Sequence, residues 1–404
     1  MHVLVIPSWY PKDSSDVHGS FFREQVLSLQ SEKLSGGSSK MGVIYPTLIS
    51  VKKILSKKYE NRKGLVFQDD EGLATVRYFE YDIFSKFSNL RGLRWRLLGH
   101  KLFEEYIKKF GKPDLLHAHS LLYGGVLANE LYQKYGVPFI VTEHASGYSL
   151  GKYDARQIKQ ASATLKSASR LLAVSPNLAK DLQKVFLDSE YNWEIVPNCI
   201  NSEFQNVVPE RRVNKNNEFV FLAVALLTKN KSVDTLIRAF SKISSRYKNF
   251  VLRIGGDGPE RARLEDLCKQ LNLEDRISFL GRLDRHQVID EMSTANMFTL
   301  SSNYETFGVV VVEALACGLP VISTRCGGPE SIVNDCNGFL VPTRDEEALA
   351  EAMVRAYEEY SQFDAQRIRQ QCLSRYSAEV VTKQLMQIYK ESVGTTNEMR
   401  DIMI

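Results

Sequence analysis

The sequence predicts an α/β protein made of two doubly wound domains, and three observations carry that reading. Short apolar runs alternate with helical patterns of roughly 10–18 residues from end to end, which is how βαβ units and parallel sheets read. Many runs are continuous rather than alternating, as in Phe219-Val220-Phe221-Leu222-Ala223-Val224, the pattern of strands buried on both faces. The chain has 404 residues, room for two to three domains at roughly 150 residues each.

Taken in order, the first series of strands is expected at 2–6, 41–45, 73–79, 114–118, 138–142, 170–174 and 193–197. The second is expected at 218–225, 250–254, 276–280, 296–300, 319–323 and 338–341. Between them Asn201 to Asn217 is polar and without periodicity. The boundary is placed there, giving an N-terminal domain over 1–200 and a C-terminal domain over 201–376. A last helix is expected over about 377–391, after the non-helical Arg375-Tyr376. Two such domains facing one another leave a cleft lined by the carboxyl ends of both sheets, where ligands bind in these folds.

Composition bounds the function. Hydrophobic residues are 44% and charged residues 25%, which excludes collagenous, disordered and small disulfide-rich classes. The net charge of +4 is too small to indicate a nucleic-acid partner. The six cysteines form no Cys-x-x-Cys pair, so reduced, mostly buried thiols in a cytoplasmic protein are expected, with no metal site. The N-terminus lacks a basic region and breaks at Pro7, so it does not read as a signal peptide. No apolar run approaches the ~20 residues of a membrane span. Residues 51–112 hold 15 Lys/Arg against 8 Asp/Glu. There Phe87, Leu90, Leu93, Trp95, Leu97 and Leu98 interleave with Lys86, Arg91, Arg94 and Arg96. This reads either as a solvated helix packing one face on its sheet or as a basic amphipathic surface for anionic lipid.

The chemistry concentrates at strand ends. After the strand 296–300 comes Ser301-Ser302-Asn303-Tyr304-Glu305-Thr306-Phe307-Gly308, with a helix opening at Gly308. A loop entering a helix exposes backbone N–H groups backed by the helix dipole, a ready anion site. Phe307, Gly308 and Val309 are placed to present those amides. Glu313 lies in an otherwise apolar helix, where a carboxylate needs a partner, and it suits two vicinal hydroxyls. The turn Gly255-Gly256-Asp257-Gly258-Pro259 allows close backbone approach, yet Arg261 breaks any dinucleotide fingerprint. Lys229 and Lys231 sit at a strand-to-helix junction, where they would neutralise a diphosphate or merely be solvated. In the first half, Pro7 to Tyr10, His117-Ala118-His119 and Thr142-Glu143-His144 end strands with polar groups. His117 and His119 are expected on opposite faces of their strand, unable to share a metal ion.

Together these motifs resemble the retaining family 4 glycosyltransferases of the GT-B fold, from Met1 to about Tyr389. The most specific match is Glu305-x7-Glu313 with Phe307-Gly308 and the tail Ala316-Cys317-Gly318-Leu319-Pro320-Val321. Gly256-x-Gly258-Pro259, Val196-Pro197-Asn198, Pro113-Asp114-x-x-His117-Ala118-His119 and Thr142-x-His144 support it. The resemblance implies that Glu313 binds the donor ribose and that Glu305 lies near the transferred sugar. It implies that Lys231 holds the diphosphate, that His144 approaches the donor sugar and that Gly19 belongs to a flexible loop after the first strand. Backbone near Arg282 and Leu283 would hold the base, and the last helix would return to the N-terminal domain. The family's arginine shortly before the lysine is here Leu226, with Lys229 as the nearby cation.

The expected activity is therefore retaining, metal-independent transfer of a sugar from a nucleotide diphosphate sugar, UDP- or GDP-linked, to a hydroxyl acceptor, with no separate cofactor. A lipid-linked or surface-polysaccharide acceptor and peripheral work at the inner membrane face are expected with it. The rival readings are a sugar-nucleotide epimerase or hydrolase, using Glu143 and His144 as acid and base, and a non-catalytic sugar-nucleotide-binding relative.

Overall fold

The computed structural model describes residues 1–11, 19–31, 33–34, 37–50, 63–84, 87–187, 191–208 and 218–402. The chain divides into two compact units. The first comprises Met1–Val174, Ala179–Cys199 and Val381–Ile404, and the second Ser175–Leu178 and Ile200–Val380.

In the first unit, β1 (His2–Pro7), β4 (Lys40–Ser50), β5 (Gly64–Asp70), β6 (Leu73–Asp82), β7 (Leu115–His119), β8 (Phe139–Glu143), β9 (Arg170–Ala173) and β10 (Trp193–Ile195) form one sheet. A separate two-residue ladder joins β2 (Lys33–Leu34) to β3 (Gly37–Ser38). The large sheet runs β10-β9-β8-β7-β1-β4-β6-β5, parallel except for the hairpin of β5 with β6. The sequence reading did not anticipate β5. It lies at the sheet's edge with partly exposed residues and ends in Asp69-Asp70, so it lacks the apolar run that marks a central strand. The Glu71-Gly72 turn beside it, both residues at positive φ, was its legible signal.

Strand order reverses between β1 and β7, so the sheet's switch point lies at Pro7 and His119. Ligands of open α/β sheets bind at that crevice, beyond the carboxyl ends. Directly after β7 the chain makes a strained turn, with Ser120 at φ 70 and Tyr123 at φ 61. The Ser8 hydroxyl lies within hydrogen-bond reach of the carbonyls of His119 and Leu122, to one of which it donates its single proton, and it accepts from the Gly124 amide, which fixes this turn against the end of β1.

The final helix Ala378–Ile402 completes the first unit's core. Val381, Leu385, Met386, Ile388 and Tyr389 are buried with Val3, Val5, Phe22, Leu115 and Ile140. The helix Ser88–Phe110 divides the expected amphipathic set. Trp95 and Leu98 are buried, whereas Phe87, Leu90, Leu93 and Leu97 are exposed. Lys86 of that set lies outside the described residues, as do Lys52, Lys53, Lys57 and Lys58 of the same basic stretch. Arg91, Arg94 and Arg96 are each paired, with Asp82, Glu80 and Glu130.

The second unit is a parallel sheet in the order β13-β12-β11-β14-β15-β16. Its strands are β11 (Phe219–Val224), β12 (Phe250–Gly255), β13 (Ile277–Gly281), β14 (Met297–Leu300), β15 (Val321–Thr324) and β16 (Gly338–Val341). The strand pattern expected from the sequence is present throughout, and here the switch point falls between β11 and β14. Five of the six cysteines are buried and Cys336 is exposed, all of them free thiols.

Candidate active site

In the second unit the loops leaving β11 and β14 flank the switch point and are bonded to each other. The Asn303 amide donates to the Asn230 carbonyl, the Asn230 side chain to the Tyr304 carbonyl, and the Ser301 hydroxyl to the Lys231 carbonyl. This brings Lys231 Nζ to 2.6 Å from Glu305 Oε1, and the Ser302 hydroxyl donates to the same oxygen at 2.6 Å. The side chains are 24% and 16% exposed, so the pair is largely desolvated yet reachable. An ammonium has three donors; Glu305 takes one and leaves Lys231 able to face an anion. Lys229 stands two residues away in the same short 3₁₀ turn and is exposed, as is Leu226.

Glu305 is held by its backbone as well. Its amide donates to the Cys326 carbonyl, its carbonyl accepts from Gly328, and it bridges Gly327 in parallel. A Cβ on Gly328 would lie 2.3 Å from Phe307 Cα, so only glycine lets this loop lie against the turn before Gly308. Gly308 sits at φ 102, ψ 56 at the start of the helix Val309–Ala316, and no side chain caps it. The amide-bearing turn at Phe307, Gly308 and Val309 thus opens on the same loop as Glu305. Glu313 is half-buried, one turn into that helix, and burial, with the Glu313 charge adding to it, pushes the Cys317 thiol up to about 12. Gly256, at φ 119, packs its Cα against the Ala225 carbonyl, where a Cβ would lie 1.9 Å from the oxygen. Arg282 is exposed and Leu283 half-buried just after β13, with Leu283 Cδ1 over Gly255.

In the first unit the carboxyl ends of β7 and β8 carry three histidines. His117 and His119 share one face, with ring centroids 4.2 Å apart. This corrects the expected opposition: side chains alternate along a strand, so residues two apart return to the same face. His117 bonds Tyr389 Oη through Nδ1 and Thr142 Oγ1 through Nε2, each at 2.7 Å. His119 Nδ1 lies 3.0 Å from His144 Nε2. Burial pushes His117 and His144 down to about 3 and His119 well below its usual value, so all three are neutral. One proton lies between His119 and His144. On the outer sides of the pair, Asn198 is a hydrogen-bond partner of His144, and His119 Nε2 has no hydrogen-bond partner among the described residues.

Glu143 differs from the expected acid–base partner of His144. It is wholly buried and accepts from the amides of Leu121, His144 and Ala145. Burial raises its pKa despite those donors. A buried carboxyl that accepts from Leu121 as well as from its own neighbours ties the turn after β7 to the end of β8. Gly19 is buried at φ 80 beside Trp9 and Tyr10, at the entry to the first helix. Among the described residues no group of three or more His, Cys, Asp or Glu is placed to hold a metal ion.

The sequence reading missed Ser302, Asn230, His119 as partner of His144, and the Gly327-Gly328-Pro329 loop. Only the last was legible, as a Gly-Gly-Pro turn directly after a strand. Ser302 reaches Glu305 three residues on within its own loop, whereas Asn230 and His119 act through contacts between segments distant in the chain.

Two parallel-sheet α/β units, the second with a cation–carboxylate pair and an uncapped helix start at its switch point, define a GT-B glycosyltransferase. Residues 65–204 match the model described as Glycosyltransferase Family 4, and residues 206–371 match Glycosyl transferases group 1. The chain belongs to the family 4-type glycosyltransferases. It is 29% identical over 344 residues to an uncharacterised glycosyltransferase of Methanocaldococcus jannaschii, covering 77% of this chain and 87% of that protein. It is 26% identical to the N-acetyl-alpha-D-glucosaminyl L-malate synthase of Bacillus anthracis, over 68% of this chain and 74% of the relative. The sucrose-phosphate synthase structure from Thermosynechococcus elongatus superposes with a TM-score of 0.79 at 21% identity, over 98% of this chain and all of that one.

Proposed function

We propose that the protein transfers a sugar from a UDP- or GDP-sugar to a hydroxyl acceptor, with retention at the anomeric carbon and without metal or organic cofactor. The observation that carries this is the Lys231–Glu305–Ser302 cluster at the second unit's switch point, beside the uncapped turn at Gly308. As the bond from the anomeric carbon to the diphosphate oxygen breaks, negative charge grows on the diphosphate. Lys231 and the turn amides stabilise that charge without reorganising. Glu313 takes the ribose hydroxyls, Arg282 and Leu283 flank the base, and Glu305 orients Lys231 and the sugar. The acceptor oxygen attacks from the leaving-group face, and the departing phosphate oxygen takes its proton. His144 and Gly19 serve the sugar and acceptor side.

This path needs no protein base, which agrees with Glu143 being wholly buried and engaged by three backbone amides. An epimerase or hydrolase needs such a base. We further propose a lipid-linked acceptor for a cell-surface polysaccharide or glycolipid, used at the cytoplasmic face of the membrane. Among the described residues no helix is long and apolar enough to cross a membrane. Thermal shift against UDP- and GDP-sugars tests the donor, and proton NMR of the product reads its anomer. Release of free sugar in the presence of competent acceptors would count against transfer.

A further inference from the structure

At the carboxyl end of β7 the backbone of His119 is pinned to the end of β1. Its carbonyl accepts from the Ser8 amide at 3.1 Å and lies 2.7 Å from the Ser8 hydroxyl. His119 pairs in register with Thr142, and His144 follows two residues on, so the two rings come to the same face. His119 Nδ1 then lies 3.0 Å from His144 Nε2. Phe22 of the helix Ser20–Ser31 packs on both imidazoles, with its centroid 4.6 Å from that of His119 and 4.8 Å from that of His144. All of these residues belong to the first unit. His119 is fully buried, yet its Nε2 has no hydrogen-bond partner among the described residues. An apolar side chain would fill that place without leaving a buried nitrogen unsatisfied. What the imidazole adds there is its bond to His144.

We propose that His119 is a positioning residue of the sugar transfer, whose Nδ1 bond fixes the ring of His144 in one orientation and one tautomer; this rests on the sugar-side role given to His144 in the preceding section. The proton count makes the coupling strict. Each neutral imidazole carries one N–H, and one proton occupies the bond between the rings. With that proton on His119 Nδ1, His144 accepts at Nε2 and carries its own proton on Nδ1. With it on His144 Nε2, His119 accepts at Nδ1 and carries its own proton on Nε2. The two rings are therefore always the same tautomer. The choice of partner also suits the chemistry. Positive charge grows on the anomeric carbon as the diphosphate leaves, and an imidazolium nearby would oppose it. A carboxylate behind His144 would favour imidazolium, whereas a second histidine brings no such charge. The titratable groups around the pair are opposed to that charge or already engaged. His117, on the same strand, opposes protonation of both rings and is bonded to Tyr389 of the last helix and to Thr142. Glu143 accepts from the amides of Leu121, His144 and Ala145. Asn198, the other partner of His144, is an uncharged amide. The next residue, Cys199, is a thiol that burial pushes up to about 12, with Glu24 of the helix Ser20–Ser31 adding to the shift.

The chain has only seven histidines, so proton–nitrogen correlation spectra of the full-length protein with isotope-labelled histidine resolve each ring. His119 and His144 should show the same tautomer and stay neutral below the ordinary histidine range of about pH 6.5. His119→Phe keeps a ring but not the bond, and should release His144 into a mixture of tautomers. His119→Asn returns an amide near the position of Nδ1 and should restore a single tautomer. His119→Asp places a carboxylate there and should charge His144 near neutral pH. Turnover is read as nucleotide released to water from UDP-N-acetylglucosamine or GDP-mannose, which shares the departure of the diphosphate. It should fall at least about tenfold in the Phe variant with UDP or GDP affinity unchanged, and recover to within a few-fold in the Asn variant. In the Asp variant it should rise with pH as His144 loses its proton. Should His119→Phe fail to fold, the Asn and Asp variants carry the comparison, because both keep a polar group beside His144. Opposite tautomers in the wild type, His144 titrating near its ordinary value, or equal His144 spectra in the Asn and Asp variants overturn the proposal. So does wild-type turnover in a folded Phe variant. The spectra are read without donor, so failure of both donors to bind tells against the donor reading alone.

Discussion

Lys231 and Glu305 are close enough that changing either alters the other. If Lys231 holds the diphosphate as proposed, Lys231→Ala should remove a charge-assisted bond worth about 1.5–3 kcal/mol, or roughly ten- to a hundredfold in affinity. It also leaves Glu305 with only the Ser302 hydroxyl at that oxygen. Lys229, exposed in the same turn, should cost no more than a few-fold when made Ala. Calorimetric titration of UDP or GDP into both variants checks this, and equal losses would show the loop to be merely solvated. Glu313→Ala should weaken nucleotide binding by a similar ten- to a hundredfold; unchanged affinity in a folded variant would refute the ribose role. The histidines predict a pH dependence. Their folded pKa values lie below the unfolded value of about 6.5, near 3 for His117 and His144. The unfolded chain therefore binds more protons between those limits. The stability they contribute is fully present above about pH 6.5 and is lost as pH falls toward 3, by about 1.4 kcal/mol per pH unit for each. Glu143, raised by burial, opposes this by binding a proton in the folded state. A net slope of about two to three protons below pH 6.5 in urea unfolding is expected, and a flat profile would refute neutral burial.

At the scale of elements, the turns after β11, β12 and β14 are built by close backbone approach. Gly256→Ala places a Cβ at positive φ and 1.9 Å from the Ala225 carbonyl oxygen, so two backbone segments must part. Gly64, at φ 103, meets nothing within 4 Å and isolates the cost of φ alone. Gly64→Ala should cost roughly 1–3 kcal/mol and Gly256→Ala clearly more, with nucleotide affinity falling with it. Equal melting temperatures would show that the turn relaxes freely. The same elements show how far sequence carries. The apolar runs of β11 and β14, the helix opening at Gly308 and the Glu305–Glu313 spacing were all legible, because buried parallel strands and helix starts have local signatures. Asn230 beside Tyr304 and His119 beside His144 were not, because each contact depends on how two loops or strands are paired.

At the scale of the molecule, the chain's end closes its beginning. Tyr389 Oη bonds His117 Nδ1 across 272 residues of sequence, inside a core that includes β1. Tyr389→Phe leaves that buried nitrogen unpaired and should destabilise the first unit by about 1–3 kcal/mol. Trp9, Trp95 and Trp193 all lie in that unit, so tryptophan fluorescence reports its unfolding separately. Removing residues 381–402 should bring this unit's unfolding to much lower urea, because Leu385 and Tyr389 are then lost from the core, while nucleotide binding by the second unit persists. A fluorescence transition unchanged by truncation would contradict the helix's place in the core.

Local order in the chain was sufficient for the α/β class, the two series of strands, the helix-opening turn at Gly308 and the identity of Lys231, Glu305, Glu313 and His144 as candidates. Each of these rests on nearest neighbours, where hydrophobic period, glycine and strand-end polarity act over a few residues. Tertiary structure alone decided which candidates touch. It joined Lys231 to Glu305, engaged Glu143 with three backbone amides, set His119 beside His144 and left one face of the helix Ser88–Phe110 in water. A side chain's partner and its exposure depend on the packing of segments far apart in sequence, and no local pattern encodes that packing.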